Sequence, residues 1–154
     1  NKLLAAKFFK GTIDVTNDVN ENILDVGSVE DIISLLNTMV NTVTYDTYPL
    51  NSESAVQNYV KAYLLGAKQT VSSEVHQAKG RADLMIETNK RRIVFEFKYA
   101  QNETEAKIKL NEAVEQIKTR DYGNILPKKA ELLRIAAVFN ADPKVRAFTL
   151  SQQV

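Results

Sequence analysis

From residue 28 onward the apolar positions switch between a helical and a strand period. Ile32, Leu35, Leu36 and Met39 recur at three- and four-residue steps, so a helix is expected from a Ser28 cap to about Val40. Pro49 closes the "VTYDTYPL" that follows. Val56, Tyr59, Val60, Tyr63 and Leu64 then repeat the helical spacing over about 53–68, with Asn51 or Ser52 as the cap. Residues 70–77, "TVSSEVHQ", read as a strand, and two more strands near 82–88 and 91–98 flank a polar turn. "NETEAKIKLNEAVEQIKTRDYG" returns to the helical period. Ala106, Leu110, Ala113, Val114 and Ile117 share one side, acids come early, Lys and Arg late, and Gly123 is the stop. Two strands, "ELLRIAAVFN" and "KVRAFTL", close the chain around Ala141-Asp142-Pro143, whereas the Asn- and Asp-rich residues 12–27 read as extended or loop.

The order helix, helix, three strands, helix, two strands predicts an α/β domain with a central mixed sheet flanked by helices. The strand–helix–strand passage over 91–139 is a natural crossover, setting "LLRIAAVF" parallel to "RIVFEFK". We expect one domain over 28–154, with residues 1–27 as an amino-terminal extension or the end of a preceding domain. A first residue of Asn rather than Met is expected of a processed protein or a fragment of a longer one.

The hairpin "GRADLMIETNKRRIVFEFKYA", residues 80–100, carries charges inside apolar strands. A turn centred on Asn89-Lys90 sets Asp83 opposite Glu96 and, by alternation, puts Arg81 and Lys98 on their face, while Leu84, Ile86, Phe95 and Phe97 take the other. Two opposed carboxylates repel unless something positive lies between them. One explanation is a divalent cation, Mg²⁺ or Mn²⁺, held by oxygen alone, with Lys98 beside it and a phosphodiester as substrate. The other is an ionic ladder of Asp83, Glu96, Lys98 and Arg81 on a solvent-exposed face.

Composition narrows the chemistry. The 154 residues are 44% hydrophobic and 25% charged, ordinary for one globular domain, and contain no cysteine, which excludes disulfides, thiolate metal sites and thiol nucleophiles. The lone His76 is read as packing or surface, since one imidazole supports no metal cluster. No apolar run approaches the roughly 20 residues that span a bilayer, so a cytoplasmic protein without a membrane partner is expected. Net charge is +1, unevenly spread: residues 1–52 carry three Lys and seven acids, net −4, and the remainder 17 Lys or Arg and 12 acids, net +5. Lys79, Arg81, Lys90, Arg91, Arg92 and Lys98 cluster at the hairpin, as a solvated turn or a surface for phosphates.

"GRAD" (80–83), "EFK" (96–98) and "EQIKTRDY" (115–122) together resemble the PD-(D/E)XK nuclease superfamily, over roughly residues 35–150. The similarity is closest to the branch found as the carboxyl-terminal domain of bacterial AAA-ATPase-like proteins. The resemblance implies a restriction-endonuclease-like αβββαβ core and a metal-dependent nuclease acting on DNA. It makes Asp83 and Glu96 ligands of Mg²⁺ (or Mn²⁺) and Lys98 the catalytic lysine. The superfamily's acid on the preceding helix falls on Glu53, with Glu74 as competitor, and completes the expected catalytic and metal set. Gln116 and Tyr122 match positions that support the site or contact nucleic acid, and Lys79, Arg81, Arg91 and Arg92 are the expected phosphate contacts. The usual Pro before the Asp is Ala82 here, which costs no ligand. Expected partners are nucleic acid and an amino-terminal AAA-ATPase-like domain; a homodimer is compatible with the reading. A catalytically inactive module of the same fold, binding nucleic acid or regulating an associated ATPase, is the alternative.

Overall fold

The computed structural model describes residues 23–43, 49–66, 70–77, 80–125 and 127–154, with the backbone alone described for 70–77 and 80–82. Helix α1, Val29–Asn41, starts where expected: Ser28 Oγ accepts the Asp31 N–H and Asp31 Oδ2 accepts the Ser28 N–H, each at 3.1 Å, a reciprocal capping box. In α2, Glu53–Gly66, Ser52 settles the choice of cap, its Oγ accepting the Ala55 N–H at 3.1 Å. Helix α3, Glu103–Arg120, is capped by Asn102 and ends in a left-handed Asp121, φ 50°. Gly123 follows at φ 85°.

Among the described residues five strands form one sheet in chain order: β1 Thr70–Gln77, β2 Gly80–Glu87, β3 Arg91–Ala100, β4 Glu131–Asn140 and β5 Ala147–Gln153. Only β3 and β4 are parallel, joined through α3 as the crossover requires. β5 begins three residues later than its apolar run suggests. Residues 142–146 are taken up by a turn in which the Val145 and Arg146 N–H groups return to Asp142 O, and Arg146 sits at φ 47°.

Alternation divides the core. Ile93, Phe95 and Phe97 with Leu133, Ile135 and Phe139 face α1 and α2 in the larger cluster, while Val94 and Ala136 face Ala113, Val114 and Ile117 of α3. Residues 23–26, expected as loop, are a helical turn instead: Leu24 is buried in the larger cluster, and the Gly27 N–H closes on Ile23 O at 2.7 Å. A side chain at Gly27 would meet that same oxygen at 2.4 Å, so glycine is what lets the turn run straight into the Ser28 cap. Residues 1–22 lie outside the described residues.

Candidate active site

The site forms where the sheet splits. β2 and β3 pair in the expected register, Leu84 with Phe95 and Glu87 with Arg92, and the Thr88 N–H donates to Arg91 O at 2.9 Å across the turn. Mutual bonding then recurs at every second pair, so the Phe97 N–H should meet the carbonyl of Ala82. It does not: the ladder stops at Leu84–Phe95, and the Phe97 N–H donates to Asp83 Oδ2 at 2.9 Å. β2 meanwhile continues along β1 as far as Gly80. Asp83 thus stands at the fork, its carboxylate replacing a backbone acceptor. From α2, Gln57 Nε2 donates to Asp83 O at 2.6 Å and fixes the backbone of β2 at the fork.

Glu96 and Lys98 project from β3 toward α3 beside this fork. Lys98 Nζ lies 3.5 Å from Glu96 Oε2, and it donates to Gln116 Oε1 on α3 at 3.2 Å. Gln116 Nε2 donates in turn to the hydroxyl of the fully buried Tyr122 at 3.1 Å. A chain of polar contacts from Tyr122 through Gln116 therefore holds the ammonium against the carboxylate.

Glu96 is only 2% exposed, and its Oε1 has no hydrogen-bond partner among the described residues. Burial, reinforced by the charge of Asp83 and opposed by that of Lys98, pushes the Glu96 carboxyl up to about 8. Burial first and then Asp83 also raise the carboxyl of Glu53, at the head of α2, with Lys98 and Lys109 acting against them. An exposed ionic ladder would show neither the burial nor the orphaned oxygen, so the solvated-face explanation is set aside for Asp83, Glu96 and Lys98.

A divalent cation fits this donor set. It would give Glu96 Oε1 a partner and remove the repulsion between the carboxylates, and oxygen-only ligation suits Mg²⁺ or Mn²⁺. Among the described residues no three His, Asp or Glu side chains gather as a metal-holding group. Asp83 and Glu96 could hold the ion, with water and substrate filling its other positions, and Glu53, near enough for Asp83 to act on its carboxyl and for its own charge to act on Glu96, stands beside them.

The other expected contacts divide. Arg91 and Arg92 are corrected: both are buried, at 6% and 2% exposure, with their guanidinium groups turned to the protein's own acceptors. Arg91 donates to Glu131 Oε1 and Gly27 O; Arg92 donates to Glu87 Oε2 and to the carbonyls of Gly123, Ile125 and Pro127. They tie loops to the far end of β3. Of the two roles expected of Gln116 and Tyr122, the geometry matches support of the site: the fully buried Tyr122 is no surface for nucleic acid but accepts from Gln116, which in turn accepts from Lys98. Arg81 enters β2 through its backbone pairing with His76, and the side chains of Glu74, His76 and Arg81, with all of Lys79, lie outside the described residues. Gln57 was not singled out from the sequence. Its signal was a polar residue one turn after Glu53, beside the apolar stripe of α2, where burial must be answered by a hydrogen bond.

Residues 51–148 match the family model described as the PD-(D/E)XK nuclease superfamily. No curated protein matches the chain.

Proposed function

The chain belongs to the PD-(D/E)XK nuclease superfamily, and from that premise we propose that it is a metal-dependent nuclease hydrolysing phosphodiester bonds of DNA. The observation that carries the reading is the buried Glu96 with its unpartnered Oε1, set between Asp83 and Lys98 where the sheet splits. In this proposal Asp83 and Glu96 hold Mg²⁺ or Mn²⁺, and Glu53 is the acid that the preceding helix adds to them. Held there, such a cation would supply Lewis-acid polarisation of a phosphoryl oxygen and favour deprotonation of a water. Lys98, kept at the site's edge by Gln116, places a positive charge where a pentavalent phosphate builds negative charge, and it can orient the attacking water. Gln57 and the Phe97 N–H fix the Asp83 backbone and carboxylate, so the pair is preorganised.

A cytoplasmic protein working beside an AAA-ATPase-like domain, alone or as a homodimer, is the setting we propose. No helix among the described residues is long and apolar enough to cross a membrane.

The test is cleavage of linear and circular DNA, with single-stranded RNA as control, in Mg²⁺, Mn²⁺ and EDTA, by the wild type and Asp83→Ala. Metal-dependent cutting of DNA by the wild type alone is expected. DNA bound but left whole under every condition would favour the inactive module, and no binding even at low salt would favour a protein-interaction domain.

A further inference from the structure

We propose that Lys109 of α3 is a substrate-positioning residue, contacting a phosphate of the nucleic acid next to the one that is cut. This rests on the nuclease reading above and adds a residue to it. Lys109 stands seven positions, or two helical turns, before Gln116, so the two share the side of α3 that borders Lys98. Its side chain is 34% exposed, open to a ligand in a way that Lys98, at 17%, is not. Its charge also reaches across the fork to α2, where Glu53 feels Lys98 and Lys109 as the two opposing cations.

Two arguments favour a ligand over helix stability. The ion pair that Lys109 makes, 3.6 Å to Glu112 at i+3, places the acid after the lysine, the poorer order on a helix, and such exposed pairs contribute little. Releasing it costs almost nothing. In addition, the charges of Asp83 and Glu53 both bear on Glu96 with Lys98 opposing them, and a polyanion entering such a field needs further positive charge at the mouth. With Arg91 and Arg92 turned inward, Lys109 is a described lysine placed to supply it.

The experiment measures DNA affinity against salt in EDTA, where nothing is cut, for the wild type, Lys109→Ala and Lys118→Ala, an exposed lysine near the end of the same helix. Lys109→Ala should weaken binding about fivefold near physiological salt and flatten the log–log salt slope by about 0.9 on duplex, with Lys118→Ala unchanged. In Mg²⁺ the same variant should raise KM and leave kcat in place. A wild type that binds and cuts while Lys109→Ala keeps its slope and KM would overturn this inference alone. A wild type that neither binds nor cuts would overturn the nuclease reading, and the inference with it.

Discussion

At the scale of single residues, Glu96 decides most. Its carboxyl is raised in the folded protein, so folding favours the protonated form: the stability this contributes is present below the ordinary carboxylate range and is lost as pH rises through about 8. In EDTA, the melting temperature of the wild type should fall between pH 5 and pH 8.5, and that of Glu96→Gln, which carries no charge to bury, should fall less. Mn²⁺ should restore more of the loss at pH 8.5 than at pH 6, because proton and cation compete for the same oxygens. A wild type whose melting is flat over this range would show that Glu96 is not held protonated. For Gln116→Ala we expect kcat to drop about tenfold as Lys98 loses its anchor, with a stability cost of about 1 kcal/mol from the hydrogen bond lost by the Tyr122 hydroxyl, which keeps Arg120. Steady-state kinetics and denaturant melts separate the two effects. That Asp83 and Glu96 are neighbours was legible in the sequence because alternation and turn length fix the register of β2 on β3, although the ladder ends one pair short of them, at Leu84–Phe95. Whether the pair was buried was not, since burial comes from α3 and from the fork.

At the scale of elements, the inward turn of Arg91 and Arg92 shows what charge clustering conceals. A run of basic residues after a hairpin turn says nothing about direction, yet alternation places Arg91 on the side of Phe95 and Phe97, the core side. The loop after α3 then wraps Arg92, spending its carbonyls on the guanidinium. Arg92→Ala should therefore cost stability, on the order of 3 kcal/mol as three carbonyls lose a donor while Glu87 keeps Lys129, without changing the salt dependence of DNA binding. Equilibrium unfolding checks the first claim, and a slope shifted as for Lys109→Ala would refute the second. Gly123→Ala is a sharper test of the same loop. Its φ of 85° disfavours a side chain, and a Cβ would meet Leu132 Cδ1 at 2.5 Å and Val94 Cγ2 at 2.7 Å, so a loss of about 2 kcal/mol or more is expected in chemical denaturation. The sequence marked Gly123 as the helix stop; the stop itself lies at Asp121, and the glycine serves close packing.

For the whole molecule, the element order and the parallel β3–β4 crossover were legible because long periodic segments carry their own signal and crossover chirality leaves few topologies. The helical turn at 23–26 was not, because its reason is tertiary: Leu24 enters the core, and Arg91 collects the carbonyls of Leu24 and Gly27. Function sits where these two kinds of information meet. The sheet supplies the fork, two helices on opposite faces reach it with Glu53 and Gln57 on one side and Gln116 on the other, and β3 delivers Glu96 and Lys98 between them. As proposed, phosphodiester hydrolysis at this fork needs both a cation held by Asp83 and Glu96 and an ammonium held by Gln116. The single-turnover rate of DNA cleavage, measured across Mg²⁺ concentrations for the wild type and Lys98→Ala, tests it most directly. The wild-type rate should saturate with Mg²⁺ and vanish in EDTA, and the variant should be slower on the order of a hundredfold or more. Equal rates in the two proteins, or cleavage that persists in EDTA, would contradict it.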